Sequence, residues 1–305
     1  MSWQLRLLDL YLRRVERPKL ARAVDIAPTR RGFERAARLV FRAPPCAVFR
    51  PDRLGGRPFL WAHGRPARPG LLLWFHGGIY VMGSPRSHRG MVAALAMAAG
   101  CRAGLPDYRL APEHPFPAAF EDALAAWDGL IARGYVPGRI VLGGDSAGGG
   151  LALALLAHLL ARGGARPAGL IALSPLTDLA RTGASMVENA GRDALLPARS
   201  KADPLGWYLR GADPRDPRAS PLYADFPDPP PVFLQAARSE MLRDDTQRMA
   251  DRLRASGGAV TIDMWPNTPH VWPIFRGWLP EADAAIAQAG RFVGAALDQA
   301  AVRTR

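Results

Sequence analysis

Cysteine is nearly absent from this 305-residue chain: Cys46 and Cys101 are the only two, far apart and without metal-type spacing. That excludes a disulfide framework and a cysteine-ligated zinc as organising devices, and it makes a reducing, cytoplasmic setting the expectation. Lysine is equally rare, so the net charge of +13 rests on arginines scattered along the chain, with Lys19 and Lys201 the only lysines. No segment joins a dense basic run to interleaved aromatics, and nucleic acid is therefore not expected as a partner. Long apolar runs are missing too. The longest, Leu151 to Leu160, contains His158 and is too short to span a bilayer, so stable membrane insertion is not expected. Neither a histidine or carboxylate cluster with metal-ligand spacing nor a phosphate-cradling Walker sequence occurs, so no metal and no cofactor are expected.

What is present is enough apolar material for a large core, 49% of residues. Short runs at Cys46-Phe49, Pro58-Ala62, Leu71-Phe75, Arg102-Pro106, Ile140-Gly143, Leu170-Leu173, Val232-Ala236 and Val260-Trp265 read as strands. Helical patterns at Gly90-Ala99, Ala118-Arg133, Gly149-Arg162, Asp244-Ser256 and Glu281-Ala300 alternate with the later ones. Strand alternating with helix predicts an α/β fold, a mainly parallel sheet covered on both faces. Residues 177–231 break the rhythm with Asp-Pro steps and one aromatic helix candidate near Leu205-Leu209. An excursion of that length between core strands is usually functional. The opening stretch carries Leu5, Leu8, Leu12 and Val15 at helical spacing, and Arg6 and Asp9 interrupt it too early for an export signal. This helix is expected to pack on the body, with contact to a membrane surface as the alternative. Residues 1–45 and 178–220 together are expected to form a helical cap over a core of 46–177 and 221–305, within a single domain.

The chemistry concentrates at Gly144-Asp145-Ser146-Ala147-Gly148-Gly149, which follows the run Ile140-Val141-Leu142-Gly143 and opens a Leu/Ala helix. A serine between small residues at a strand-to-helix corner points its hydroxyl away from the backbone, as in the Gly-x-Ser-x-Gly nucleophile elbow of α/β-hydrolases. Gly148, Gly149 and Gly150 forfeit helix propensity, and close approach to a neighbouring strand is the expected return. After the strand Leu71-Phe75 comes His76-Gly77-Gly78-Ile79-Tyr80-Val81-Met82-Gly83-Ser84. Acyl transfer needs donors for the negative charge that develops on the carbonyl oxygen. The N–H groups of Gly77 and Gly78, with Ala147 as the third, are the candidates.

Both signatures in this order resemble hormone-sensitive-lipase-like carboxylesterases, also called bacterial family IV. The resemblance continues through Asp107-Tyr108-Arg109-Leu110-Ala111-Pro112-Glu113-His114-Pro115-Phe116-Pro117-Ala118, Ser174-Pro175-Leu176, Ser220-Pro221-Leu222 and Pro230-Pro231-Val232, covering roughly residues 58–300. It implies an α/β-hydrolase fold with an eight-stranded sheet and a cap. Family members commonly carry a third glycine where this chain has Ile79, which adds bulk near the mouth of the acyl pocket. Ile79 and Tyr80 are therefore the candidate substrate-contacting residues.

A serine hydroxyl needs a base, and the fold orders its partners Ser, acid, His. Of the six histidines, only His270 follows the last strand, in the loop where the family's base sits. The acid orients that imidazole. After Val232-Ala236 the chain reads Arg238-Ser239-Glu240-Met241-Leu242-Arg243-Asp244-Asp245, where many relatives carry aspartate at the position of Glu240. Glu240 is the candidate. Asp244 and Asp245 are rivals, with a plainer reading as first-turn acids of a helix. His76 is expected to brace the glycine loop. The resemblance implies a serine carboxylesterase for short- to medium-chain esters, working on a small-molecule substrate through an acyl-enzyme. The alternatives are a non-hydrolytic receptor on the same scaffold and a dedicated deacetylase or amidase; a homodimer is left open.

Overall fold

A computed structural model describes residues 1–303 except 65, 67 and 165; residues 304 and 305, at the end of the expected core, lie outside the described residues. The chain opens with α1 (Trp3–Tyr11), α2 (Arg17–Arg22) and α3 (Ile26–Val40), the first two joined by a π-helical turn at Leu12–Glu16. Leu5 and Leu12 are buried, as the stripe predicts, whereas Val15 is exposed. The wider π turn rotates the face that follows it, and Val15 leaves the stripe.

Next comes the hairpin of β1 (Val48–Leu54) and β2 (Arg57–His63), with Leu54 paired to Arg57 across Gly55-Gly56. Both glycines have positive φ, 57° and 76°, the backbone a two-residue hairpin turn requires. The sequence places the first strand at Cys46-Phe49; the observed one runs on through Pro51. An edge strand tolerates proline because its missing N–H costs no ladder bond.

Then follow β3 (Leu71–Phe75), α4 (Pro85–Ala99), β4 (Arg102–Pro106), α5 (Ala118–Ala132), β5 (Ile140–Asp145), α6 (Ala147–Ala161) and β6 (Gly169–Leu173). Helix α4 starts ahead of the apolar pattern at Gly90 because Ser84 and Ser87 close a reciprocal capping box and Pro85 occupies the first turn. After the excursion, which contains α7 (Ser185–Glu188) and α8 (Pro204–Leu209), the core resumes with β7 (Val232–Ala237), α9 (Arg243–Ala255), β8 (Val260–Trp265) and α10 (Pro280–Arg303).

The eight strands form one sheet in the order β1-β2-β4-β3-β5-β6-β7-β8. Strand β2 is antiparallel to both β1 and β4, and all other pairings are parallel. Leu71, Leu73 and Phe75 of β3 join a core with α5, α6 and α9, while Leu72 and Trp74 join a second core with α4 and α10. Such strands read as unbroken apolar runs because both faces are covered. The excursion and the opening helices touch each other: Lys201 N–H donates to the Ala21 carbonyl (2.9 Å), Ser200 Oγ to that of Leu20 (3.3 Å), and Arg13 to that of Gly191 (3.2 Å). Among the described residues, no helix is long and apolar enough to cross a membrane.

Candidate active site

Strand β5 delivers Ser146 to the carboxyl edge of the sheet, and α6 begins at the next residue. Ser146 has φ 51° and ψ −123°, a conformation that costs a non-glycine residue about 1–3 kcal/mol. The corner is locked by backbone bonds from Ser146 N–H to the Leu173 carbonyl (2.9 Å) and from Leu176 N–H to the Ser146 carbonyl (2.9 Å). The glycines after it have the reason the sequence suggests. A Cβ on Gly148 would lie 2.0 Å from the Phe75 carbonyl oxygen of β3, and one on Gly150 would lie 2.0 Å from that of Leu176. Only glycine lets α6 settle this close.

His270 Nε2 lies 2.9 Å from Ser146 Oγ, and His270 Nδ1 lies 2.6 Å from Glu240 Oε2. The carboxylate accepts, so Nδ1 carries the proton and Nε2 is free to accept from the hydroxyl. All three side chains are buried. Burial opposes charging the imidazole, but the hydrogen bond and the charge of Glu240 outweigh it, and the His270 pKa stands above its ordinary value. The other Glu240 oxygen, Oε1, accepts from Ala237 N–H (2.7 Å) and Ser174 Oγ (3.0 Å). Ser174 Oγ in turn accepts from Val271 N–H at 3.3 Å, tying the acid to the loop that carries the imidazole.

The glycine loop departs from the sequence reading at one donor. Gly77 N–H already donates to Asp145 Oδ2 at 3.1 Å, so it is not free for an incoming oxygen. Gly78 and Ile79 N–H have no acceptor among the described residues. A Cβ on Gly77 would lie 3.1 Å from Ser146 Cβ, which places this loop directly against the nucleophile corner.

A family model described as the alpha/beta hydrolase fold matches residues 72–274. The chain belongs to the α/β-hydrolase fold family. This α/β-hydrolase is 43% identical over 231 residues to an acetyl-hydrolase of Streptomyces hygroscopicus, covering 75% of this chain and 77% of that one. It is 33% identical over 254 residues to an esterase of Acinetobacter venetianus, covering 83% and 84%. Among solved structures, an esterase from the bacterial hormone-sensitive lipase family superposes with a TM-score of 0.91 at 39% identity, covering 97% of this chain and 99% of that one.

The rival acids of this α/β-hydrolase lie elsewhere. Asp244 Oδ2 accepts from Ser185 N–H (2.8 Å), and Asp245 Oδ2 from the N–H groups of Thr177 (2.7 Å) and Asp178 (2.9 Å). Burial pushes the Asp245 carboxyl up to about 7. Both anchor the excursion after β6 and do not reach His270. Ile79 is partly buried, whereas Tyr80 is wholly buried and stacked on Tyr208 of α8 with centroids 3.9 Å apart and planes within 8°. Tyr80 therefore packs the excursion against the glycine loop, and Ile79 beside it stays partly exposed. Both have positive φ, 55° and 60°, and for a β-branched residue such as Ile79 that conformation is a genuine outlier.

Sequence reasoning missed a buried pair behind the elbow in this α/β-hydrolase. His88 Nε2 of α4 lies 3.2 Å from Asp145 Oδ2, and Trp74 Nε1 donates to Asp145 Oδ1 at 3.0 Å. Burial works against both charges, yet their mutual attraction prevails: the His88 pKa is raised and that of Asp145 lowered. His76 goes the other way, down to about 3, through burial and the nearby His88 charge, and its Nδ1 donates to the Gly77 carbonyl at 2.8 Å. A neutral His76 thus braces the loop, and the charged pair fixes Gly77. Ser84 to His88 carries no signal in the sequence because the partner lies on β5, far along the chain.

Proposed function

We propose that this protein is a serine carboxylesterase acting on short- to medium-chain acyl esters. The observation that carries the proposal is the continuous relay from Ser146 Oγ through His270 to Glu240, at 2.9 Å and 2.6 Å. Ser146 Oγ attacks the ester carbonyl while His270 Nε2 takes its proton. The tetrahedral oxyanion accepts from the N–H groups of Gly78, Ile79 and Ala147, donors fixed in place before the reaction. Collapse expels the alcohol, which takes the proton from His270 and leaves an acyl-Ser146 ester. Water then attacks that ester as His270 removes its proton, and collapse releases the acid while His270 returns the proton to Ser146 Oγ. Glu240 holds the Nδ1–H tautomer and stabilises the imidazolium in both halves.

We read residues 1–45 and 178–220 as the cap. Tyr208 of the excursion packs on Tyr80, and a partly buried Ile79 beside it supports a short acyl pocket. The name of the Streptomyces relative, an acetyl-hydrolase, supports the same end of the chain-length range. A receptor without chemistry is disfavoured by the imidazole in hydrogen-bonding reach of the hydroxyl. The test is a p-nitrophenyl ester series from acetate to decanoate. Turnover should be greatest for the short acyl groups, and Ser146→Ala should lose about 10⁴- to 10⁶-fold. Undiminished turnover by Ser146→Ala would overturn the reading.

A further inference from the structure

Helix α1 turns apolar side chains in two directions. Leu5 and Leu12 are buried against the body, while Trp3 (68% exposed), Leu7 (58%), Leu10 and Tyr11 face solvent. Positions 3, 7 and 10 fall on one helical face, so Trp3, Leu7 and Leu10 form a line, and the exposed Arg14 follows in the π-helical turn beyond its end. Arg6 flanks it. Both arginines are exposed, and neither forms an ion pair among the described residues. Arg13 and Arg17 are turned inward instead, donating to the carbonyls of Arg192 and Ala190, and they pin the rod to the excursion. A second exposed tryptophan, Trp278, lies three residues before Glu281, whose carboxylate accepts from Ser2 N–H (2.6 Å) at the start of α1. The first forty residues hold ten basic and four acidic side chains, close to half of the chain's net charge of +13.

We propose that the outward face of α1 docks on an anionic phospholipid surface. Contiguous exposed apolar surface rimmed by charge marks an interaction site. An apolar line with arginines at its side and end matches a helix lying in the headgroup layer, where tryptophan and tyrosine are favoured and guanidinium groups meet phosphate. A second copy of this chain fits less well, because a symmetric contact would set the same positive surplus on both sides. Further along the opening segment, the helix α3 is fastened to the glycine loop and its flank, away from the outward face of α1. Arg30 of α3 donates to the Val81 and Ala111 carbonyls, and Glu34 accepts from Ser84 Oγ at 2.8 Å. Adsorption of this kind is peripheral and independent of the chemistry at Ser146.

The test is co-sedimentation of the full-length protein with phosphatidylcholine vesicles, with and without phosphatidylglycerol. Binding should require phosphatidylglycerol, weaken with salt, and fall about tenfold or more in a Leu7→Asp/Leu10→Asp variant. The same variant should keep wild-type turnover of soluble p-nitrophenyl acetate and an unchanged urea midpoint, since both residues are on the surface. Failure of the wild type to sediment with anionic vesicles, or equal sedimentation by the variant, would overturn the proposal. So would a wild-type dimer that the double substitution dissolves.

Discussion

At the carboxyl ends of β3, β5 and β7, polar groups are buried and almost all are paired: Ser146 with His270, His270 with Glu240, Glu240 with Ser174, Asp145 with His88, Trp74 and Gly77. Along the rod from Trp3 to Arg22 the arrangement inverts, with Trp3, Leu7 and Leu10 facing out and Arg6 and Arg14 left without an acid among the described residues. The first region is over-determined, because each buried charge costs several kcal/mol unless its partner is in place. The rod is held by a few core contacts and by backbone carbonyls across to the excursion. A rigid constellation and a lightly anchored surface helix sit in one chain, and substitutions should separate them.

The largest effect should come from the acid. Glu240→Gln is expected to lower kcat/KM by about 10³- to 10⁴-fold, while Asp244→Asn, four residues on, stays within about tenfold. The pH profile sharpens this prediction. In the wild type, activity should rise as His270 loses its proton, with the acid limb above the ordinary histidine range because Glu240 holds the proton on. Removing the carboxylate leaves burial to dominate, so the limb should move to lower pH in Glu240→Gln. A limb that stays put would detach Glu240 from His270.

Next in size is the elbow packing. Gly148→Ala forces a methyl to 2.0 Å from a β3 carbonyl oxygen and should cost about 3 kcal/mol or more in urea unfolding, with activity lost alongside. The rod provides the smallest effects and the internal control. Leu12→Ala, in the core, should cost about 2–3 kcal/mol, and Leu7→Ala on the outer face less than about 0.5 kcal/mol. Equal costs for the two leucines would mean that the outer face is covered in solution.

The same contrast governs how much could be read in advance. Ser146 was legible because the strand, the elbow and the three following glycines all answer one steric demand, seen here as the contacts of Gly148 and Gly150. His270 and Glu240 were legible from chain order and the resemblance. The Ser174 bridge and the His88–Asp145 pair were not, since they join residues 66 and 57 positions apart through the sheet and leave no local pattern. The engagement of one loop amide was hidden for a related reason: only the fold reveals that Gly77 N–H donates to Asp145. On the rod, the repeat of leucines fixed a helix and a buried face but not the π turn that frees Val15, because apolar spacing alone does not report the hydrogen-bond register.

Activation of Ser146 Oγ by His270 can be read by covalent labelling. Incubation with an alkyl fluorophosphonate, followed by peptide mass spectrometry, should give a single phosphonyl adduct on the Ser146 peptide, with a labelling rate that collapses in His270→Ala. An adduct on any other residue, or an unchanged rate in His270→Ala, would contradict the account.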